Sequence, residues 1–196
     1  MSPPPGEGDA CDTGGMGAGG GRGPATAAVQ SIDLQVTVPA APEQVWQAWT
    51  TREGVRSFMA PDAVVEARPG GAFEVQFDPL AEPGLRGADG MQFMALQPPR
   101  MLSFSWNAPP HLPQARAQRT LVVVRLEPEG EGATRVRLHH VGWGDGGEWD
   151  QAHDYFTRAW GQVLGQLRRR FESGPIDWSD WMKRLREAHA LKPAGG

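Results

Sequence analysis

Between residues 62 and 142, apolar and polar side chains alternate through six successive runs, AVVEAR, AFEVQF, GMQFMAL, MLSFSW, TLVVVRLE and TRVRLHHV, separated by Pro and Gly. Neighbouring residues of a strand point to opposite faces, so this pattern predicts an antiparallel sheet with one covered and one wet face. The inward set is Phe73, Val75 and Phe77 in the second run, Leu102, Phe104 and Trp106 in the fourth, and Val136, Leu138 and His140 in the sixth. Pairing Leu126 with Thr134 across the last hairpin sets Val124 against Val136, Val122 against Leu138 and Thr120 against His140.

A sheet with one apolar face needs a cover, and the next segment is built to be one. From Glu148 to Glu172 the period becomes helical, with Trp149, Ala152, Phe156, Trp160, Val163, Leu167 and Phe171 stepping by three and four. Asp145 is placed to cap this helix, with Glu148 three residues on, and Gly174-Pro175 stops it. Ahead of the sheet, Ile32, Leu34, Val36 and Val38 form a first strand, and Pro42 opens a short helix burying Val45, Trp46 and Trp49. Thr50 and Glu53 then make a capping box for a second short helix that buries Val55, Phe58 and Met59. After the long helix, DWSDWMKRLREAHA sets Trp178, Trp181, Met182 and Leu185 on one face, a short helix that packs back on the domain.

Three regions follow. Residues 1–30 are a Gly/Pro-rich tail, with nine Gly and four Pro in the first 24 positions and too little apolar surface to offset the entropy of ordering. Residues 31–174 are the domain, and residues 175–196 are a C-terminal extension with a short helix. The N-terminus lacks the basic start and apolar stretch of a secretory signal, and no window offers a membrane-spanning apolar run. The single cysteine, Cys11, excludes a disulfide framework and a cysteine metal site. A cytoplasmic location is expected. The net charge is −4, and the one dense basic run, Arg168 to Arg170, complements a helix C-terminus, so nucleic acid is not expected as a partner.

One strand, two short helices, six strands and a long helix is also the order of elements of a known family. VPAAPEQVWQAWT, FMAPDAVVEARPGGAFEVQF and YFTRAWGQVLGQL resemble the opening, the Gly-Gly hairpin and the closing helix of the START-like (SRPBCC) superfamily, over about residues 31 to 173. The branch they most resemble is named for the activator of the ninety-kilodalton heat-shock protein's ATPase (AHSA1-like), of the bacterial stand-alone type. The resemblance implies an α+β helix-grip fold: a curved antiparallel sheet of about seven strands (β-α-α-β6-α) wrapped on the long C-terminal helix. It also implies a pocket between sheet and helix, which superfamily members use for lipids, sterols, polyketides or plant hormones. It implies no single reaction, because fold alone does not fix function.

Meander parity sorts the connections by end. Residues 68–71, 97–100 and 127–133 make short hairpins at one end. The other end gathers DPLAEPGLRGADG, NAPPHLPQARAQ, GWGDGG and Ala60-Pro61, and is the expected pocket mouth. The candidate ligand-binding residues are His140, Thr120, Trp106, Phe104, Phe93, Met91, Phe77, Phe156 and Trp160. His140 has three readings: a structural histidine bonded to Thr120, water or backbone; a polar group that recognises a ligand; or a general base. No inward carboxylate orients it and no nucleophile elbow accompanies it, so no catalytic residue is assigned.

His140, Glu148, Asp150 and His153 could be imagined as a metal set, but Glu148 and Asp150 more simply complement a helix N-terminus, and neither metal nor cofactor is expected. His139 points outward, and His111 and His189 are read as solvated. Gly161 and Gly165 mark either close helix packing or space left for a ligand. The expected role is binding of a small hydrophobic or aromatic molecule. The alternatives are a polyketide cyclase/dehydratase-like enzyme using His140 and a co-chaperone-like protein-binding domain, and a protein partner or homodimer stays open.

Overall fold

The computed structural model describes residues 30–191, so the expected disorder of the N-terminal tail, and Cys11 with it, lies outside the described residues. Strand β1 (Ile32–Val38) is followed by helices α1 (Pro42–Thr50) and α2 (Arg52–Arg56). The meander comprises β2 (Asp62–Val65), β3 (Phe73–Gln76), β4 (Phe93–Gln97), β5 (Met101–Trp106), β6 (Thr120–Pro128) and β7 (Thr134–Val141). A four-residue helix, α3 (Pro113–Arg116), interrupts the β5–β6 connection, and α4 (Glu148–Ser173) and α5 (Ser179–Ala190) close the described chain.

The sheet order is β1-β7-β6-β5-β4, all antiparallel, with β2 and β3 forming a separate ladder. Bridges Ala72–Gln92 and Gln76–Gly87, with Phe73 N–H donating to Met91 O at 2.8 Å, stitch β3 to the chain entering β4. The result is the expected α+β helix-grip arrangement, with seven strands and a long helix across their apolar face. Phe73, Phe93, Leu102, Phe104, Val122, Val124, Val136 and Leu138 from the sheet share one core with Trp49, Phe58, Phe156, Trp160, Leu164 and Leu167. No described helix is long and apolar enough to cross a membrane.

Several local expectations are corrected. The last hairpin pairs Val122 with His140, Val124 with Leu138 and Leu126 with Val136, a register two residues from the expected one. β6 runs on to Pro128, which pairs with Thr134, and Glu129 N–H bonds Ala133 O across a tighter turn with Gly130 and Gly132 at positive φ. A shift of two preserves parity, so every inward residue stays inward. The cap of α2 is Thr51, which accepts from Gly54 N–H at 3.0 Å, while Thr50 turns its hydroxyl back to Trp46 O. Gly147, not Asp145, precedes α4 and has no side-chain cap. Glu148 instead accepts the Gln114 and Ala115 N–H groups at 2.7 and 3.0 Å, satisfying the otherwise unpaired donors at the start of α3.

Candidate functional site

β5 delivers Phe104 and Trp106 to the covered face, and α4 lays Phe156 and Trp160 over them. Phe73 and Phe104 lie 4.4 Å apart, Phe73 and Phe93 4.7 Å, and Trp106 and Trp160 5.2 Å between ring centres. Phe93, Phe104 and Met91 are fully enclosed by this packing and belong to the closed core. Beyond Trp106 and Trp160 the sheet and helix separate, leaving a cavity of about 430 Å³. Of the residues expected at the site, Trp106, Phe77, Phe156 and Trp160 line this cavity; His140, Thr120, Phe104, Phe93 and Met91 stand behind that lining.

His140 has no solvent exposure, and its bonds fix its state. An indole N–H can only donate, so Trp160 Nε1–H at 2.9 Å makes His140 Nδ1 the acceptor and leaves the proton on Nε2. That Nε2–H donates to Thr120 Oγ1 at 2.7 Å, and the Thr120 hydroxyl in turn donates to Trp106 O at 3.3 Å. Burial, with smaller contributions from His153 and His139, pushes the imidazole from its ordinary 6.5 down to about 3. His140 is therefore a neutral strut that orients the Trp160 indole and ties β7 to β6 and β5. Of its three readings, this geometry matches the structural one.

The cavity opens where the long connections collect. Residues 85–88 and 107–110, Met59 and Pro61 contribute walls, while the segment at Trp143 packs on His140 instead, donating its indole N–H to His140 O at 3.0 Å. Arg116, which no local sequence pattern singles out, holds two of these connections together. Its guanidinium donates to Ala108 O, to Gly84 O at 2.6 Å and to Gly87 O at 2.9 Å, with the Asp89 carboxylate 3.6 Å away. Burial lowers its pKa and Asp89 counters this, so a cation persists in the cavity wall. Gly87 has φ +153°, and a Cβ there would meet Val75 O at 2.3 Å, so only glycine lets this loop lie against β3.

Asp78, Arg86, Asn107, Tyr155, Gln162 and Gln166 line the cavity beside Arg116, and burial raises the Tyr155 phenol, keeping it protonated. Trp106 is 3% exposed, and its indole N–H finds no acceptor among the described residues. Trp49 Nε1 is also unpaired, but Trp49 sits in the closed core, away from the cavity.

Trp178 and Trp181 of the C-terminal extension complete the lining. The sequence grouped them on one helical face without showing what that face would meet. His189, expected to be solvated, bonds Asp78 at 2.8 Å, while His139 is outward as expected and pairs with Asp33 at 2.5 Å. Among the described residues no three His, Cys, Asp or Glu side chains come together as a metal site. Gly161 and Gly165 are solvent-exposed, and a Cβ added at either would meet nothing within 4 Å, so they serve neither close packing nor the cavity.

A family model described as Activator of Hsp90 ATPase homolog 1-like protein matches residues 39–172. Among solved structures, protein MLL2253 from Mesorhizobium loti is similar at 19% identity over 75% of this chain and 100% of that one, with a TM-score of 0.60. The Aha1 dimer from Colwellia psychrerythraea is similar at 21% identity over 74% and 98%, with a TM-score of 0.58. DynU16, a protein in the dynemicin biosynthetic locus, is similar at 21% identity over 74% of this chain but 48% of its own, with a TM-score of 0.55. At these identities the likeness is one of fold. No curated protein matches the chain.

Proposed function

The chain belongs to the family of Activator of Hsp90 ATPase homolog 1-like proteins, and on that premise we propose that it binds a small hydrophobic or aromatic molecule between its sheet and α4. The observation that carries this reading is a cavity of about 430 Å³ walled by the rings of Trp106, Phe156 and Trp160, with the Trp106 N–H closed off behind the ring surface and without an acceptor among the described residues. An unpaired buried donor costs on the order of 1–3 kcal/mol, which a ligand's oxygen would recover once the indole shifts to uncover its N–H. Apolar walls with a few polar groups are the usual character of a small-molecule site.

Binding is favoured over catalysis because His140 has no lone pair left to take a ligand's proton and stays neutral near pH 7. The similarity to a protein of a biosynthetic locus keeps a cyclase-like reaction as the alternative. A co-chaperone-like role is less favoured, since Trp178 and Trp181 turn ring surface to the cavity and bond backbone carbonyls of their own domain, Trp181 keeping 40% of its surface exposed. The dimeric Aha1 neighbour makes a homodimer the assembly to look for by light scattering. The proposed setting is the cytoplasm.

Native mass spectrometry of the purified protein, followed by solvent extraction, tests the reading. A bound apolar compound is expected, and Trp106→Phe, which removes the donor together with the five-membered half of the indole, should weaken its rebinding by about threefold to tenfold. Consumption of the compound by the wild type would favour the enzyme; unchanged affinity in Trp106→Phe would remove that donor from the site.

A further inference from the structure

The family match ends at residue 172, at the last turn of α4, yet the chain does not leave the domain there. Gly174, at φ +97°, turns it back, and Ile176 N–H bonds Ser57 O at 2.9 Å. Trp178 Nε1–H then donates to Arg56 O at 2.6 Å, Trp181 Nε1–H to Phe77 O at 2.9 Å, and His189 reaches Asp78 at 2.8 Å. These contacts hold α5 against α2 and the chain leaving β3, where Trp178 and Trp181 line the same cavity as Trp106 and Trp160.

We propose that residues 175–190 form the outer wall of the ligand site, and that Trp178 and Trp181 select flat aromatic ligands carrying an acidic or carbonyl oxygen. This rests on the reading of the cavity as a ligand site. Each indole has a single polar atom, and both are engaged by backbone carbonyls, so the two side chains offer a ligand only ring surface. Rings opposed by Trp106, Phe156 and Trp160 favour a planar aromatic guest over a flexible aliphatic one. The Arg116 cation in the wall, and the Trp106 N–H once its ring shifts to uncover it, supply the counterpart for an oxygen.

No side chain of α5 is fully buried, and Trp181 keeps 40% of its surface exposed, so the helix adds to the wall without being part of the closed core. Segments with few buried contacts open at free energies well below that of global unfolding.

Two measurements separate the wall from the ligand reading. The first needs no ligand: in a Cys11→Ser background, Ala159→Cys places a thiol at the cavity, and its maleimide labelling rate is compared between the full chain and a chain ending at Gly174. Removing the wall should speed labelling by about tenfold or more, with circular dichroism confirming that both chains are folded. The full chain carrying Trp178→Ala and Trp181→Ala should label at an intermediate rate. Equal rates in all three chains would overturn the wall. The second uses anilinonaphthalene sulfonate, a flat aromatic acid, and decanoate, an aliphatic one. The double variant should lose about tenfold in affinity for the aromatic probe and much less for decanoate; equal losses would overturn aromatic selection. If the full chain binds neither probe, the ligand reading fails together with the selection, while labelling still decides the wall.

Discussion

At the scale of single residues, the imidazole of His140 carries the clearest consequence. An unfolded histidine takes up a proton below about pH 6.5, whereas burial keeps the folded one neutral down to about pH 3. Between those values the unfolded chain binds more protons, so stability is full above the unfolded pKa and falls as pH drops toward the folded one. One such site contributes a slope of about 1.4 kcal/mol per pH unit. His140→Gln cannot titrate; it should be less stable than wild type at pH 7, and the gap between the two should narrow by about that slope in urea titrations from pH 6 to pH 4. A constant gap would show that His140 is already protonated in the fold or reachable by water. Alternation in β7 was enough to place His140 inward, and parity was enough to keep it beside Thr120. What alternation could not show is that Trp160 would donate to its other nitrogen, because a contact between α4 and β7 depends on how far the helix lies along the sheet.

Among the elements, α4 shows both what periodicity reveals and where it stops. Its apolar steps at three and four gave the buried face, and Trp160, at 1% exposure, lies at the centre of it. Trp160→Ala should cost about 3–5 kcal/mol in chemical denaturation, and a loss below about 1 kcal/mol would place that ring outside the core. The two glycines on the same helix were ambiguous in the sequence, since a gap on a helix fits a close neighbour and an empty space equally well. With no heavy atom within 4 Å of either would-be Cβ, each lacks a packing reason. Gly161→Ala and Gly165→Ala should therefore stabilise the protein by about 1 kcal/mol apiece; a loss at either position would reveal a contact on that face, such as a second copy of the chain. The caps were the least legible feature. Glu148 looked like part of a cap for its own helix, but its carboxylate serves α3, a helix too short to leave a periodic signal.

For the molecule as a whole, the decisive feature is that core and cavity are two ends of one aromatic layer. Meander parity and loop length were sufficient to tell which end would open, because long connections can collect only where strands deliver them. The residues that finish the opening, Arg116, Trp178 and Trp181, lie in the β5–β6 connection and in an extension whose docking no local pattern encodes. Since the closed end is packed on its own, emptying the cavity of the proposed ligand should weaken the protein without unfolding it. A ligand at a hundredfold excess over its Kd adds about 2.7 kcal/mol to the folded state, which for a chain of this size raises Tm by on the order of 5–10 °C. Protein stripped by solvent extraction and refolded should melt lower than the loaded form by that amount and recover when the extracted compound is restored. The transition should stay single in both forms, because Trp106 and Trp160 belong to the cavity wall and to the core at once. Two separate transitions would show that the open end unfolds independently, and equal midpoints would mean that the extracted compound does not bind the native fold.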